Sequence, residues 1–254
     1  MDSYDSIARF YDLENAGFTE DLPFWADLAR EHGGPVLELG CGSGRVLLYL
    51  AREGFRASGV DSSPKMLDLA RRRLALQPAI AGNVELREES FTRLRLEETF
   101  PLVILPFNTF SHMTADEDVR AALDTIAAHL SPGGTAVLSL PNPIPLYGDP
   151  DEALVLERTF RDEERGVTIQ QFSSLRVDRA AQLGRITWVY DEIGPGGDVN
   201  RTTAPMTLRY FFPNELTVWF ERSGLLLKSL WGDYDRSPFE DGSPELIVVG
   251  RRPG

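Results

Sequence analysis

The stretch Val36-Leu37-Glu38-Leu39-Gly40-Cys41-Gly42-Ser43-Gly44 constrains this chain more than any other. A short apolar run closed by glycine reads as a buried strand. Glycine lets the backbone that follows take positive φ and approach a ligand closely. The next residues, RVLLYLARE, carry apolar side chains at helical spacing and stop at Gly54. Strand, bare loop and helix in that order open a βαβ unit. The alternation continues downstream. A strand over 55–60 is stopped by Asp61-Ser62-Ser63-Pro64, where Ser63 and Pro64 start a helix with proline at its first position. Short strands over 84–86 and 102–105, a helix over 116–130, the turn Ser131-Pro132-Gly133-Gly134 and a strand over 135–140 follow, and a helix over 20–32 precedes the set. Short apolar strands alternating with amphipathic helices predict an α/β fold, with a parallel sheet buried on both faces.

The pattern changes after Pro141-Asn142-Pro143. Residues 154–161, 167–178, 185–193 and 199–212 read as strands separated only by turn material, which predicts antiparallel neighbours. Pro213-Asn214-Glu215 then opens a helix that ends near Ser223-Gly224, and two strands follow over 225–231 and 246–250. The expected organisation is a helical segment over 1–34, a ligand-binding core over 35–143, an antiparallel β insertion over 144–212 and a closing segment over 213–254.

In an open parallel sheet the ligand lies at the carboxyl ends of the strands, where strand order reverses. The helix behind the glycine loop points its amide-rich end at the same place. A dinucleotide fold needs a small residue at the last position of G-x-G-x-x-G/A, and counting from Gly40 puts Arg45 there. The observed form is instead an acidic residue, Glu38, two positions before G-x-G-x-G. That form resembles the first motif of class I S-adenosylmethionine (SAM) methyltransferases. Two later landmarks stand in the order of that family: Asp61 at the end of the second strand, and Glu88-Glu89-Ser90 after the third. The likeness spans residues 36–140, and it implies a Rossmann-like, seven-stranded, mostly parallel sheet with helices on both faces. YDSIARFYD, the β insertion and YFFPNELTVWFERSGL resemble the bacterial small-molecule branch, which includes aminosugar N,N-dimethyltransferases and glycine/sarcosine-type N-methyltransferases.

The resemblance implies SAM as cofactor and S-adenosylhomocysteine as its product. Glu38, Gly40, Cys41, Gly42 and Gly44 form the expected cofactor loop. Asp61 and Ser62 are expected at the ribose, Met66 at the adenine, Glu89 and Ser90 at the ring, and Phe107 at the wall of the methyl-transfer site. The acceptor is expected to be a small molecule methylated at nitrogen, with oxygen as the alternative. A catalytically silent SAM-binding protein is the reading from another class, and an NAD-linked dehydrogenase is disfavoured by Arg45 and Glu38. In-line methyl transfer rests on alignment and desolvation. It requires no metal by that logic, and His32, His112 and His129 show no ligand spacing. His112, just after the fourth strand, is the candidate base. Tyr11, with Tyr4, is the candidate for covering the sulfonium. Asn108, Phe110, Trp188, Tyr190 and Arg209 are acceptor-side candidates. Trp188 and Tyr190 share a strand face, which lines either an acceptor pocket or a dimer contact. His129 is expected to favour a helix C-terminus.

A net charge of −13 argues against a general nucleic-acid binder and against attraction to an anionic membrane. No apolar run approaches the ~20 residues of a membrane span. The N-terminus has acidic residues where a signal peptide would be basic, and the single cysteine, Cys41, suits a reducing cytoplasm. Monomer and homodimer are both compatible with this composition.

Overall fold

The computed structural model describes residues 3–15, 17–144 and 153–254. Residues 145–152 of the expected insertion, and residues 1, 2 and 16 of the expected N-terminal segment, lie outside the described residues. Helices α1 (Ser3–Asn15) and α2 (Leu22–His32) lead into strand β1 (Val36–Leu39). The alternating part then runs α3 (Arg45–Arg52), β2 (Ala57–Asp61), α4 (Pro64–Ala75), β3 (Val84–Glu88), β4 (Phe100–Leu105), α5 (Asp116–His129) and β5 (Leu130–Pro141). The insertion is β6 (Val155–Asp162), β7 (Val167–Asp178), β8 (Leu183–Ile193) and β9 (Val199–Arg209). Helix α6 (Pro213–Arg222) and strands β10 (Leu226–Trp231) and β11 (Glu245–Arg251) close the chain.

The main sheet has seven strands in the order β10-β11-β5-β4-β1-β2-β3, and the insertion is a separate four-stranded sheet in the order β6-β7-β8-β9. Strands β1 to β5 pair in parallel, while β11 runs antiparallel to both β5 and β10. Every pairing in the insertion is antiparallel. Strand order therefore reverses between β1 and β4, which puts the loops after these two strands side by side. That crevice is where an open α/β sheet binds its ligand.

Period-two alternation divides the sheet's side chains between two cores. Leu37 and Leu39 face α5 and α6, with Val119, Leu123, Ile126, Leu216 and Phe220. Val36, Leu102 and Ile104 face α2 and α3, with Trp25, Leu28, Val46, Leu47 and Leu50. All four residues of β1 are buried, Glu38 among them. The start of α4 is as expected: Ser63 Oγ accepts from the Met66 amide at 3.2 Å, with Pro64 at the first helical position. The Ser131–Gly134 turn appears as a break within β5. Phe100 pairs with Leu130, Leu102 pairs with Thr135, and Gly133 takes φ 74° between them.

Helix α1 lies between the two sheets. Ile7 and Phe10 pack with Ile169, Tyr190 and Ala204 of the insertion. Arg9 binds Asp162 and Glu192, each at 2.5 Å. On its other side, Asp5 accepts from Ser63 Oγ at 2.6 Å, and Asp12 pairs with Arg73 at 2.8 Å. Polar ties to the core and a packed apolar face on the insertion thus hold α1 over the β1 and β4 loops.

Candidate active site

Beneath α1 is a cavity of about 250 Å³. Its roof is Tyr4, Tyr11, Asp12 and Asn15, and its floor is the glycine loop with Glu38, Gly40, Cys41, Gly42, Ser43, Arg45 and Val46. Asp61, Ser62, Met66, Arg73, Ser90 and Phe91 line one side. Pro106, Phe107, Thr109, His112 and Met113 line the other. Tyr4, Tyr11 and Asn15 stand seven and then four residues apart, which is one face of a helix.

The loop geometry follows from its glycines. Gly40 has φ 73°, and a Cβ added there would overlap the Thr109 methyl and stand 2.9 Å from the Thr109 hydroxyl oxygen. The glycine loop and the loop after β4 meet at this point with no room for a side chain. Asp61 ties the turn from the neighbouring strand. Its carboxylate accepts from the Gly42 amide at 2.7 Å and from the Ser63 amide at 2.8 Å.

Glu38 is 2% exposed, and its Oε2 has no hydrogen-bond partner. Burial pushes its carboxyl well above the usual range, and the nearby Arg45 opposes that shift. A buried carboxylate with a free lone pair facing a cavity suits a cationic group. Arg45 itself is held by Asp21, with Nη2 donating to Oδ2 at 2.8 Å, and its guanidinium sits 5.1 Å from the Phe18 ring and 5.2 Å from the Phe107 ring. Burial also raises the Tyr11 hydroxyl and the Cys41 thiol well above their ordinary values. Across the cavity, Tyr4 Oη and His112 Nε2 lie 3.1 Å apart.

Of the residues singled out from sequence, Glu38, Gly40, Cys41, Gly42, Asp61, Ser62, Met66, Ser90, Phe107, Tyr11 and His112 line the cavity. Gly44 does not; it is the left-handed residue that starts α3, at φ 78°. Glu89 is exposed outside the cavity, because its amide donates to the Asp61 carbonyl and its side chain turns to solvent. The acceptor-side candidates stand outside the lining of this cavity. Phe110 is fully buried in the core and tilts against Phe211. Asn108 has a buried side-chain oxygen and is not a lining residue. Tyr190 stacks on Phe10 at 4.6 Å and donates to Glu14, and Trp188 packs into the same cluster, so their shared face is covered by α1. Arg209 is paired with Asp116 at 2.6 Å and with Glu215 at 3.5 Å. His129 is buried and bridges two backbone groups, with Nδ1 2.7 Å from the Thr125 carbonyl and Nε2 accepting from the Leu96 amide. Sequence reasoning missed Arg73, Asp12 and Asn15. Asn15 alone had a local signal, its helical spacing from Tyr4 and Tyr11.

Among the described residues no group of three or more His, Cys, Asp or Glu is arranged to hold a metal, and no helix is long and apolar enough to cross a membrane. The strand order, with a glycine loop and two carboxylates near its reversal point, agrees with the layout expected of a class I SAM-dependent methyltransferase. Residues 36–134 match the methyltransferase domain family. It is 29% identical over 253 residues to the cypemycin N-terminal methyltransferase of Streptomyces sp, covering 98% of this chain and 97% of the relative. It is 30% identical over 139 residues to a dTDP-3-amino-3,6-dideoxy-α-D-glucopyranose N,N-dimethyltransferase of Streptomyces fradiae, where it spans 52% of each chain. The CcbJ methyltransferase from Streptomyces caelestis superposes with a TM-score of 0.82 at 29% identity, over 99% of this chain and 98% of that one. The enzyme uses SAM.

Proposed function

We propose that this enzyme methylates an amine nitrogen of a small molecule, with His112 as the group that accepts the amine proton. The observation that carries the reading is the Tyr4–His112 pair, at 3.1 Å on the acceptor side of the cavity that also contains Glu38 and Asp61. The cypemycin N-terminal methyltransferase, which matches this chain along nearly its whole length, supports nitrogen.

SAM supplies a methyl group on a leaving group that needs no further activation. Glu38 takes the cationic amino group of its methionine end, and loss of solvent there is offset by pairing with a charge. Asp61, tied to the Gly42 and Ser63 amides, accepts the ribose hydroxyls. Met66 packs on the adenine beside Ser90. Gly40, Cys41, Gly42, Ser62 and Phe107 form the close-fitting walls, and Gly44 contributes by starting α3. Helix α1 excludes water from above. Tyr11 would set its phenol oxygen, kept neutral by burial, beside the methyl group, where it accepts the polarised C–H bonds. The base is then the imidazole of His112, which Tyr4 holds in place. The segments 1–34, 35–143, 144–212 and 213–254 act as roof, cofactor core, support for the roof and completion of the sheet. A cytoplasmic location keeps Cys41 reduced, and neither nucleic acid nor membrane is a partner of a chain this acidic.

The test is transfer of labelled methyl from SAM to pooled small amines, hydroxy acids and nucleotide-linked amino sugars. Label in amines is the expected result. Label confined to hydroxyl compounds would move the assignment to O-methylation, and no transfer to any pool would overturn it. Light scattering distinguishes the monomer from the homodimer, the two states the reading allows.

A further inference from the structure

We propose that Ser139 is a positioning residue for methyl transfer, clamping the loop after β4 in a left-handed conformation that aims Phe107 into the cavity. The proposal rests on the reading of that loop as the acceptor-side wall.

Ser139 is a polar residue inside an apolar run of β5, fully buried and paired with Ile247 of β11. A buried hydroxyl is unfavourable in such a place unless it is hydrogen-bonded. Here it is bonded to the loop of the neighbouring strand. Ser139 Oγ accepts from the Phe107 amide at 2.8 Å, and the Ser139 carbonyl accepts from the Asn108 amide at 3.2 Å. One residue thus takes two consecutive amides. These belong to two consecutive non-glycine residues with positive φ, Phe107 at 57° and Asn108 at 63°. Asparagine tolerates that region, but a bulky aromatic residue there is an outlier that surrounding structure must hold in place.

The conformation has a consequence for the cavity. It turns the Phe107 ring inward, edge-on to Tyr11 at 6.2 Å, tilted on Phe18 at 5.5 Å and under the Arg45 guanidinium. It also brings Thr109 down on Gly40, so that the wall and the cofactor loop are in contact. A relaxed loop with negative φ would swing the ring out and break that contact. Methyl transfer depends steeply on alignment, so a small displacement of this wall slows the reaction more than it weakens binding.

The experiment compares S139A, which removes the accepting oxygen, with S139T, which keeps it. Three quantities are read: S-adenosylhomocysteine binding by calorimetry, turnover on an amine found in the labelled-methyl screen, and the intraresidue amide–Hα cross-peak of Phe107 in labelled protein. That cross-peak is strong only when φ is positive. In S139A the cross-peak is expected to weaken and kcat to fall by about tenfold or more, with KM and product affinity within about threefold of wild type. S139T should keep the cross-peak and most of kcat. Should S139A fail to fold, S139C, close in size but a weak acceptor, carries the same expectation. A cross-peak that persists in S139A, a kcat within about twofold of wild type, or an S139T variant as impaired as S139A would each overturn the proposal. The cross-peak and the calorimetry need no acceptor. Failure of the nitrogen assignment would therefore appear in the wild-type screen alone, and failure of the clamp in the S139A spectrum.

Discussion

Substituting alanine at Gly40 tests whether the cofactor loop and the acceptor-side loop meet without spare volume. Two penalties apply. An L-residue at φ 73° is in the left-handed region, which costs about 1–2 kcal/mol. The new methyl would also overlap the Thr109 side chain, and overpacking of a dense site costs about 1–3 kcal/mol. The sum, about 2–5 kcal/mol, corresponds to a melting temperature lower by roughly 5–15 °C for a chain of this size. The two penalties separate in a double-mutant cycle. T109A alone loses a methyl and the bond from Thr109 Oγ1 to the Pro106 carbonyl, 2.8 Å long, for about 1–2 kcal/mol. In G40A/T109A most of the overlap disappears while the backbone penalty stays, although the Thr109 Cβ position remains 3.2 Å from the added atom. The double variant should therefore be more stable than additivity predicts by about 1–3 kcal/mol. Urea denaturation of the four proteins without ligand gives the coupling directly. Additivity within about 0.5 kcal/mol, or a G40A protein as stable as wild type, would refute the contact.

Other substitutions probe separate parts of the site. Asp61→Ala removes the acceptor of two backbone amides, and with charge-assisted bonds worth about 1.5–3 kcal/mol it should weaken S-adenosylhomocysteine binding about 30-fold or more in calorimetry; equal affinity would remove Asp61 from the cofactor site. His112→Ala should leave that affinity in place and slow turnover by about 10²–10⁴-fold, and undiminished turnover would end its role as base. Glu245 has a buried oxygen without a partner, and its pKa is raised from 4.5 to about 7, chiefly by burial and then by Asp233 and Asp21. A raised folded-state pKa favours the protonated native protein, so this contribution is fully present below pH 4.5 and is lost as pH rises through about 7. Wild type should lose on the order of 2–3 kcal/mol relative to E245Q between those limits, read from urea midpoints, and parallel curves would sink the assignment.

What was legible in the sequence was local. The glycine loop, Asp61 at a strand end and the Ser63-Pro64 cap are each signalled within a few residues, and all three stand where the pattern put them. The antiparallel insertion was legible because its turns are too short for parallel crossovers. The acceptor side was not legible, because its roles depend on contacts across the chain. Alternation put Trp188 and Tyr190 on one face but could not say that α1, some 175 positions earlier, covers that face through Phe10 and Glu14. Arg209, an acceptor-side candidate in sequence, is held in the fold by Asp116, 93 positions away. Phe107 and Phe110 are alike in sequence. Two left-handed residues and a short 3₁₀ turn over Thr109–His112 send one ring into the cavity and the other into the core. Glu89 and Ser90 differ by the same kind of local choice, since side chains on either side of a strand end point in opposite directions.

Arg45 connects the legible part of the site to the illegible part. In sequence it counted only against a dinucleotide, as a long side chain where a small one is needed. In the fold it is bound to Asp21, which is fully buried, and its guanidinium lies against Phe18 and Phe107. A buried carboxylate left without its cation is strongly destabilising, so Asp21 and Arg45 hold each other in place. Their position sets the guanidinium over the ring of Phe107, whose amide Ser139 holds, and the charge of Arg45 acts on Glu38. A glycine or alanine at position 45 would suit a dinucleotide loop and would remove the guanidinium from the Phe107 ring and the nearby cation from Glu38. The residue that distinguishes this loop from a dinucleotide fingerprint therefore also links the cofactor floor to the acceptor wall. One side chain thus touches Phe107 on one side of the cavity and acts on Glu38 on the other.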